Sequence, residues 1–278
     1  MDDMQKYSVL MSVYYKEKAE NLRASIQSVF RQSCNTDDFV LVCDGPLGDE
    51  LNAVIVEAEK KFGSFLNVIR LDKNQGLGRA LDIGLSYCKN ELVARMDSDD
   101  ISFPERCEKQ VKLFMKDSAL DIVSATVLEF SESTKEICGM RKLPEKHDEI
   151  CVYSRKRNPF NHPVIMFRKT AVENAGGYSE KYPFFEDYYL WIMMLRNGCI
   201  GYNIQQPLLY MRVSDDMYMR RGGVRYAKVM LKFHNWLRNI GWISWWDYIS
   251  GALVHAIVCI MPNCCRRGIY IMLHKKKY

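Results

Sequence analysis

The sequence lacks the cysteine spacing of a disulfide framework or a zinc site. Ten cysteines are scattered through 278 residues without a CxxC pair, a distribution that indicates reduced thiols in a cytosolic protein. Internal repeats and low-complexity tracts are absent as well, which excludes solenoids and linker-like chains. The first ten residues, MDDMQKYSVL, hold acids where a signal peptide holds basic residues. We therefore expect a globular protein of the cytoplasm.

Acidic side chains are nearly absent from the last part of the chain. Residues 217–278 contain eleven Lys and Arg side chains but one acid, Asp247, so this stretch has a charge of +10 while the rest of the chain has −5. Such an asymmetry predicts two functions on one chain. We expect a body over residues 1–215 and a basic, apolar and aromatic helical tail over residues 216–278.

Strand and helix patterns alternate through the first hundred residues. Short apolar, β-branched runs are each followed by a segment whose apolar residues recur at helical spacing. This alternation predicts an α/β fold with a mostly parallel sheet flanked by helices. In such sheets ligands bind at the carboxyl ends of the strands, so the polar residues there are candidates for function. The predicted strands are 7–14, 39–44, 65–71, 91–97 and 120–130, and the predicted helices are 17–32, 51–58, 77–87, 105–116, 186–196 and 216–239.

A cluster of acids follows the fourth of these strands. Asp97, Asp99 and Asp100 lie close together in the chain, and their mutual repulsion is relieved most simply by a hard divalent cation. Positions i and i+2 of an extended segment point the same way, so Asp97 and Asp99 can face one metal ion or its phosphate ligands together. The alternative is capping of the helix near Pro104, which explains Asp100 and Ser102 equally well but suits Asp97 and Asp99 less.

Two further polar residues follow earlier elements. Asp44 ends the second strand, where a turn explains it, although its place at the carboxyl edge of the sheet makes a nucleoside contact the alternative. Arg79 begins the helix after Gly76 and either reaches a phosphate or is solvated. The two glycines at 76 and 78 do not form a dinucleotide fingerprint, because position 81 is leucine and the segment follows the third strand.

A pair of adjacent acids, Glu186 and Asp187, lies in an aromatic stretch. Burial beside aromatic rings would raise the pKa of such a carboxyl group and make it a general base. The alternative is an acid that complements a helix dipole. His162 is the one histidine expected in a loop of the body, and a single histidine is more often structural than a ligand. No Ser-His-Asp or Cys-His set has a spacing that supports nucleophilic catalysis.

Taken together, these segments resemble family 2 of the glycosyltransferases, which have the GT-A fold. The resemblance covers about residues 6–215, and the segments occur in the family's order and spacing. The chain departs from the family pattern at three positions: Ser12 stands where proline is usual, Tyr15 where asparagine is usual, and Cys43 where a first aspartate is common. These departures concern the pocket for the nucleotide base and not the resemblance to the family. The matching segments are SVLMSVYYKE (8–17), SVFRQS (28–33), LVCDG (41–45), NQGLGRALDIGL (74–85), ARMDSDD (94–100), FPERCEKQ (103–110), HPVIMFRKTAVENAGGY (162–178) and FEDYYLW (185–191).

The resemblance implies an inverting transferase that uses a nucleotide-diphosphate sugar, most often a UDP-sugar, together with Mg²⁺ or Mn²⁺. It divides the body into a nucleotide-binding half at about 1–100 and an acceptor half at about 101–215. By the same resemblance Asp99 holds the cation, and Asp187 matches the base that takes the proton from the acceptor hydroxyl. The other contacts implied by the resemblance are Tyr14, Glu17 and Asp44 with the nucleoside, Arg79 near the nucleotide, and Asp97 with ribose or sugar. Apart from the resemblance, we expect Arg220 and Arg221 in the basic tail to contact a diphosphate, either the donor's or the lipid's, and Glu186 and His162 are further candidates for diphosphate or acceptor contacts.

The tail is similar to that of enzymes that build capsular, exopolysaccharide or O-antigen units in bacteria, which implies an acceptor linked to a polyprenyl diphosphate. The apolar run 240–262 contains Asp247 and His255, which are costly in hydrocarbon, and three tryptophans gather at one end. A helix lying at the inner face of the cell membrane and held by anionic lipid therefore fits better than a span. Packing on the body is the alternative.

Two other functions stay open at this point. A nucleotidyltransferase that forms nucleotide sugars also combines an α/β sheet with metal carboxylates. It needs a glycine-rich, lysine-bearing loop after the first strand, however, and MSVYYKE has no glycine. A non-enzymatic nucleic-acid or membrane-binding module would use the basic tail, and retention on DNA that falls with salt would separate nucleic-acid binding from binding to anionic vesicles.

Overall fold

One nine-stranded sheet forms the centre of the computed structural model, which describes residues 4–213, 223–253, 256 and 259. The sheet contains all the strands that the sequence predicts and four more, which come from the second half of the body. The strands are β1 (Tyr7–Val13), β2 (Asp38–Cys43), β3 (Leu66–Arg70), β4 (Leu92–Asp97), β5 (Ile101–Ser102), β6 (Leu120–Phe130), β7 (Ile137–Arg141), β8 (Met166–Arg168) and β9 (Ile200–Arg212).

Strand pairing divides the sheet into two halves. The strand order is β3-β2-β1-β4-β8-β6-β9-β5, with β7 paired to β6. The first four strands in this order are parallel neighbours, because the chain crosses a face of the sheet between them instead of turning back in a hairpin. Beyond β4 the pairing is mixed: β8 is antiparallel to β4 and β6, whereas β6 and β9 are parallel. The predicted α/β fold is confirmed, and its parallel part presents aligned carboxyl strand ends.

Helices cover both faces of the sheet, as the sequence predicts. Helix α3 begins and ends at the predicted residues, and α7 does so as well. The helices are α1 (Ala19–Val29), α2 (Asp49–Phe62), α3 (Leu77–Tyr87), α4 (Arg106–Lys116), α5 (His147–Tyr153), α6 (Lys169–Asn174), α7 (Glu186–Arg196), α8 (Gly223–Asn239) and α9 (Trp245–Asp247), with a π-helical turn at Tyr248–Leu253 and 3₁₀ turns at Gly63–Phe65 and His162–Val164.

Alternation of side chains along the central strands produces two cores. Val9 and Leu41 pack towards α1, α2 and α4, whereas Leu10 and Val42 pack towards α3 and α7, because successive strand residues point to opposite faces. Helix α3 lies very close to the sheet at Gly84. A Cβ atom on this residue would lie 2.6 Å from the side chains of Leu10 and Val42, so only glycine permits this approach.

Two buried polar side chains of α4 tie the parallel half of the sheet to the mixed half. Gln110 Nε2 donates to the carbonyl oxygens of Val123 at 3.0 Å and Val164 at 2.7 Å. The guanidinium of Arg106 donates to the carbonyl oxygen of Arg95 in β4 at 2.6 Å. Buried carbonyl groups need such donors, so these bonds fix β4 against the segment that leads into β8.

The described part of the tail packs on the body. Helix α8 lies against α7 through an aromatic cluster centred on Phe233, which is fully buried. The centroid of the Phe233 ring lies 4.9 Å from that of Tyr188, 5.0 Å from Phe185 and 5.4 Å from Tyr182. Residues 223–239 therefore pack on the body. The packing alternative raised from the sequence concerned the run 240–262, of which Ile243, Ala256 and Cys259 are buried in the same cluster. Arg220 and Arg221 lie outside the described residues.

The three tryptophans after α8 separate into two environments. Trp242 faces the body, where its Nε1 donates to Ser154 Oγ at 3.0 Å. Trp245 and Trp246 are 61% and 78% exposed, and Arg238 lies over the Trp245 ring at 3.9 Å from its centroid. Among the described residues, no helix has both the length and the hydropathy needed to cross a bilayer. One tryptophan thus anchors this segment and two lie on the surface.

We expect Phe233→Ala to destabilise the protein by about 3–5 kcal/mol, because it removes the ring at the centre of the α7–α8 contact and leaves a cavity. Urea unfolding followed by circular dichroism measures this free energy. Trp246→Ala, which removes an exposed indole from the same tail, serves as the control and should change the free energy of unfolding by less than about 0.5 kcal/mol. Equal, small effects of both substitutions would contradict the packing of α8 on α7.

Candidate active site

Three acids meet at the carboxyl ends of β1 and β4. Asp97 ends β4, and Glu17 lies in the loop between β1 and α1. Ser98 Oγ donates to Glu17 Oε2 at 3.3 Å, so the two strand ends contact each other directly. Burial and the negative charges of Asp97 and Glu17 together raise the pKa of Asp99 to about 7. The structure therefore brings Glu17 beside Asp97 and Asp99, which the sequence marked as one cluster.

A buried arginine accounts for part of this charge. Arg95, two residues before Asp97 in β4, is 1% exposed and forms an ion pair with the Asp97 carboxylate, with Nη1 donating to Oδ2 at 3.1 Å. The Asp97 side chain is itself about one-third exposed. Arg95 thus compensates the charge of Asp97 from the buried side of the strand. The negative charge of Glu17 still acts on Asp99.

The capping interpretation of Asp100 and Ser102 is wrong. Helix α4 is preceded by Glu105, and no side-chain hydrogen bond caps it. Asp100 is buried instead, and its Oδ1 accepts from the backbone N–H of Arg212 at 2.7 Å. The hydroxyl of Ser102 accepts from Gln32 Nε2 at 3.1 Å. Both residues hold the acidic turn against neighbouring elements, because a turn of like charges needs outside donors to keep its shape.

The acidic turn fits a divalent cation bound through few protein ligands. Asp100 Oδ2 is buried with no hydrogen-bond partner among the described residues, and burial with the charges of Asp97 and Glu17 raises the pKa of Asp99 in spite of the positive charge of Arg212. Across the described ranges, no group of three or more His, Cys, Asp or Glu has the arrangement of a closed metal site. Mg²⁺ and Mn²⁺ are compatible with this, since a phosphate-bridging ion takes one or two carboxylates and completes its shell with phosphate and water.

Asp44 holds the loop that leads into α3. Its carboxylate accepts hydrogen bonds from Asn74 Nδ2 at 2.9 Å and from the backbone N–H groups of Gln75 at 2.6 Å and Gly76 at 3.0 Å. The next residue, Gly45, has a φ of +87°, and a Cβ there would lie 2.5 Å from the Asn74 nitrogen. The turn interpretation is thus supported, and a nucleoside contact by Asp44 stays a prediction.

The first half of α3 contacts the loop between α6 and α7. Arg79 forms an ion pair with Asp82 at 3.0 Å and is about half exposed. Asp82 in turn lies against Gly177, where a Cβ would be 2.4 Å from Asp82 Oδ1. On the β1 side, Tyr14 is half-buried and its ring lies 5.8 Å from that of Tyr15. Arg79 and Tyr14 therefore lie at the rim of the site, where their ligand contacts stay predictions.

The two acids at the start of α7 point to different partners. Asp187 Oδ2 accepts from Asn158 Nδ2 at 2.6 Å, and its Oδ1 accepts from the Tyr188 backbone N–H at 2.7 Å. The Glu186 side chain lies beside Gly78, with its Cγ 3.2 Å from the Cβ position there, and burial raises its pKa. Neighbouring helix residues diverge in direction, and here that divergence sends Asp187 towards the acceptor half and Glu186 towards α3.

His162 has a structural environment. Its Nε2 lies 3.0 Å from the Tyr178 hydroxyl, and its ring packs edge-on against Trp191. Burial, together with the positive charge of Arg95, holds the His162 pKa well below its usual range, so the imidazole is neutral. His162 is therefore already in contact with Tyr178 and Trp191, and an acceptor contact by this residue stays a prediction.

Tyr178 lies between the two acidic groups. Burial raises its pKa above the usual range, and the carboxylates of Asp187 and Asp97 raise it further, which requires both acids to be near this one hydroxyl. Tyr178 thus lies within electrostatic range of both the end of β4 and the start of α7. Sequence reasoning missed Tyr178, Arg95 and Asn158. Only Arg95 left a signal, as a charged residue inside an otherwise apolar strand.

Comparisons with known proteins identify relatives of this chain. The sequence profile described as "Glycosyl transferase family 2" matches residues 8–174. The chain is 37% identical over 271 residues to the UDP-Gal:alpha-D-GlcNAc-diphosphoundecaprenol beta-1,3-galactosyltransferase of Escherichia coli, covering 97% of this chain and 96% of that protein. It is also 37% identical to the amylovoran biosynthesis glycosyltransferase AmsE of Erwinia amylovora, over 95% of this chain and 97% of the relative.

Solved structures share the fold at low sequence identity. The mannosyltransferase PcManGT from Pyrobaculum calidifontis, in complex with GDP-Man and Mn²⁺, gives a TM-score of 0.62 at 16% identity, over 83% of this chain and 63% of that one. S. aureus TarS 1-349 in complex with UDP gives a TM-score of 0.57 at 18% identity, over 82% and 64%. The expected GT-A fold is thereby confirmed. Neither the nucleotidyltransferase nor the nucleic-acid alternative gains support from these comparisons.

We expect Asp99→Asn to stabilise the metal-free protein at pH 8 by roughly 1–3 kcal/mol, because it removes one of the mutually repelling carboxylates. The folded-state pKa of about 7 lies above the ordinary value, so stability is lost as pH rises through 7, and the gain should shrink at pH 5. Urea unfolding in excess chelator measures both values. Glu132→Gln, at an exposed acid elsewhere, is the control. Unchanged or lower stability of Asp99→Asn at pH 8 would contradict the repulsion.

Proposed function

The chain belongs to glycosyl transferase family 2, and from that membership we propose that it moves a sugar from a UDP-sugar to an acceptor linked to a polyprenyl diphosphate, with inversion at the anomeric carbon. The chain is a glycosyltransferase, and its relatives act in the biosynthesis of bacterial polysaccharides. The observation that carries the proposal is that Asp97, two residues before Asp99 at the end of β4, and Asp187, in the first turn of α7, both raise the pKa of the buried Tyr178, so a candidate diphosphate-binding turn and a candidate base lie near the same hydroxyl.

The donor side comprises the strand ends of β1, β2 and β4. Support for a uridine nucleotide comes from the name of the Escherichia coli relative, a UDP-Gal transferase, and from the fold neighbour that binds UDP. In this proposal Tyr14, Glu17 and the loop held by Asp44 receive the nucleoside, while Arg79 lies near the nucleotide phosphates. Asp97, fixed by Arg95, accepts hydrogen bonds from ribose or sugar hydroxyls.

Asp99 is the proposed ligand of Mn²⁺ or Mg²⁺. When bound, the cation supplies positive charge for the oxygens of the leaving diphosphate. Two features of the chain support this assignment: the carboxylate repulsion described above, and the exposed edge of Asp97 beside it. The buried Asp100 holds the turn through the Arg212 N–H and so orients Asp99 towards the cleft.

Asp187 is the proposed general base. It would take the proton from the acceptor hydroxyl as that oxygen attacks the anomeric carbon, and a single displacement of this kind inverts the configuration. Asn158 donates to one of its oxygens, which fixes the carboxylate's direction and leaves lone pairs for the acceptor. His162 is neutral and lies 3.0 Å from the Tyr178 hydroxyl, so in this proposal it does not compete for the proton.

The tail is proposed to seat the enzyme on the inner face of the cell membrane. Trp245, Trp246 and Ile249 are exposed near one another in the chain, and exposed indoles favour the lipid–water interface. The basic residues of the tail add attraction to anionic lipid, about 1 kcal/mol for each that reaches the surface. Such an arrangement suits an acceptor that is itself embedded in the bilayer.

We expect Asp187→Asn to lower kcat by about 10²–10⁴-fold while UDP affinity is unchanged, because it removes the base but not the donor site. Glu186→Gln is the matched control, since its side chain lies against α3 instead of facing Asn158, and its loss should be far smaller. Transfer kinetics and UDP titration calorimetry measure the two quantities. Equal losses in kcat would show that Asp187 is not the base.

We expect Trp245→Ala combined with Trp246→Ala to weaken binding to anionic phospholipid vesicles by at least about tenfold, because two interfacial indoles are removed. Vesicle co-sedimentation of the full-length chain measures this. Phe65→Ala, which removes an exposed ring from the far side of α2, should leave binding unchanged. If the wild-type chain ignores anionic vesicles even at low salt, the membrane proposal fails.

A further inference from the structure

A short segment is attached to the first turn of α7 at both of its ends. At one end the Tyr188 hydroxyl donates to the carbonyl oxygen of Ser154 at 2.6 Å. At the other end Asn158 Nδ2 donates to Asp187 Oδ2 at 2.6 Å. The three residues between these contacts therefore lie beside the proposed base, because consecutive Cα atoms are only about 3.8 Å apart.

These three residues are Arg155, Lys156 and Arg157, and all are exposed. Among the described residues, neither arginine has an ion-pair partner within 4.0 Å, and Lys156 Nζ reaches Asp247 Oδ1 only at 3.9 Å. Three adjacent cations with so little compensation repel one another, and no contact in the fold requires all three. A concentration of positive charge next to a catalytic carboxylate suits an anionic part of the substrate.

The same segment leads from the base to the exposed tryptophans. Hydrogen bonds from Ser244 and the positive charges of Lys156 and Arg155 lower the pKa of Asp247, so both cations lie near that carboxylate. Asp247 directly follows Trp246. In addition, Trp242 Nε1 donates to Ser154 Oγ, which fixes the tail to the start of the segment. The base, the cations and the exposed indoles are thus linked in that order through contacts between this segment, α7 and the tail.

We propose that Arg155, Lys156 and Arg157 bind the diphosphate of the lipid-linked acceptor; this rests on the function proposed above. Such an acceptor presents its parts in a fixed order: a sugar with the reacting hydroxyl, then the diphosphate, then the polyprenyl chain. The surface presents Asp187, then the three cations, then Trp245 and Trp246. Guanidinium groups bind phosphate through paired, charge-assisted hydrogen bonds, so the two arginines carry most of the contact.

The donor's diphosphate is the less suitable occupant. Its proposed place is the acidic turn at Asp99, whereas the cations lie on the α7 side and continue towards the tail. An anionic phospholipid headgroup shares the phosphate chemistry, and the experiment must separate it from the acceptor. Two water-soluble acceptors with the same sugar make this possible, one an alkyl diphosphate and the other a simple alkyl glycoside, because neither needs a membrane.

The test compares Arg155→Gln combined with Arg157→Gln against wild type, using full-length protein without lipid. Loss of two charge-assisted contacts should raise KM for the diphosphate acceptor by about 10–100-fold, with KM for the alkyl glycoside and for the UDP-sugar unchanged. Arg155→Lys combined with Arg157→Lys should recover part of the loss. Lys60→Gln combined with Lys61→Gln removes the same charge from the end of α2 and should have no effect.

An unchanged KM for the diphosphate acceptor overturns the inference, and so does an equal rise for both acceptors, which would indicate a general disturbance of α7. Weaker vesicle binding with unchanged soluble kinetics would assign the cations to lipid headgroups instead and also overturn it. Failure of the proposed function looks different: the wild-type chain would then transfer sugar to neither acceptor.

Discussion

A single buried charge, the guanidinium of Arg95, organises the site. It lies in the central strand β4 at 1% exposure and pairs with Asp97, while its positive charge lowers the pKa of His162 on the neighbouring segment. A buried ion cannot lose its partner without a cost of about 3–5 kcal/mol. Asp97 is therefore fixed in place, and the elements that surround Arg95 from both halves of the sheet must pack as they do.

Arg95 forms its ion pair with Asp97, so the other carboxylates of the turn are less well compensated within the described residues. Burial and the charges of Asp97 and Glu17 raise the pKa of Asp99, and Asp100 keeps one oxygen without a donor among the described residues. A site of this kind is less stable empty than filled, and ligand binding returns the missing stability. The partly compensated carboxylates both attract a ligand and lower the stability of the empty site, so a substitution that changes one of these properties changes the other.

Local patterns in the sequence predicted the parallel half of the sheet, α3 and α7, because periodicity and strand length are properties of neighbouring residues. The strand β8 and the contact between Asn158 and Asp187 could not be predicted, since they depend on pairing between distant segments. Asp100 is instructive: capping and burial both suit an acid near a helix start, and only the approach of Arg212 from β9 decides between them. The helix α8 was likewise predicted from its pattern, but its packing partner on α7 was not.

Ser154 joins three elements at one fully buried residue: α5, whose carbonyl at Cys151 accepts from its hydroxyl, α7 through Tyr188, and the tail through Trp242. Everything proposed to recognise the acceptor is attached to this junction, whereas the donor residues come from β1, β2 and β4. In evolutionary terms, the proposed acceptor residues and the proposed donor residues belong to two different parts of the chain. Substitutions around the junction can alter which acceptor is used while the nucleotide-sugar site is inherited unchanged.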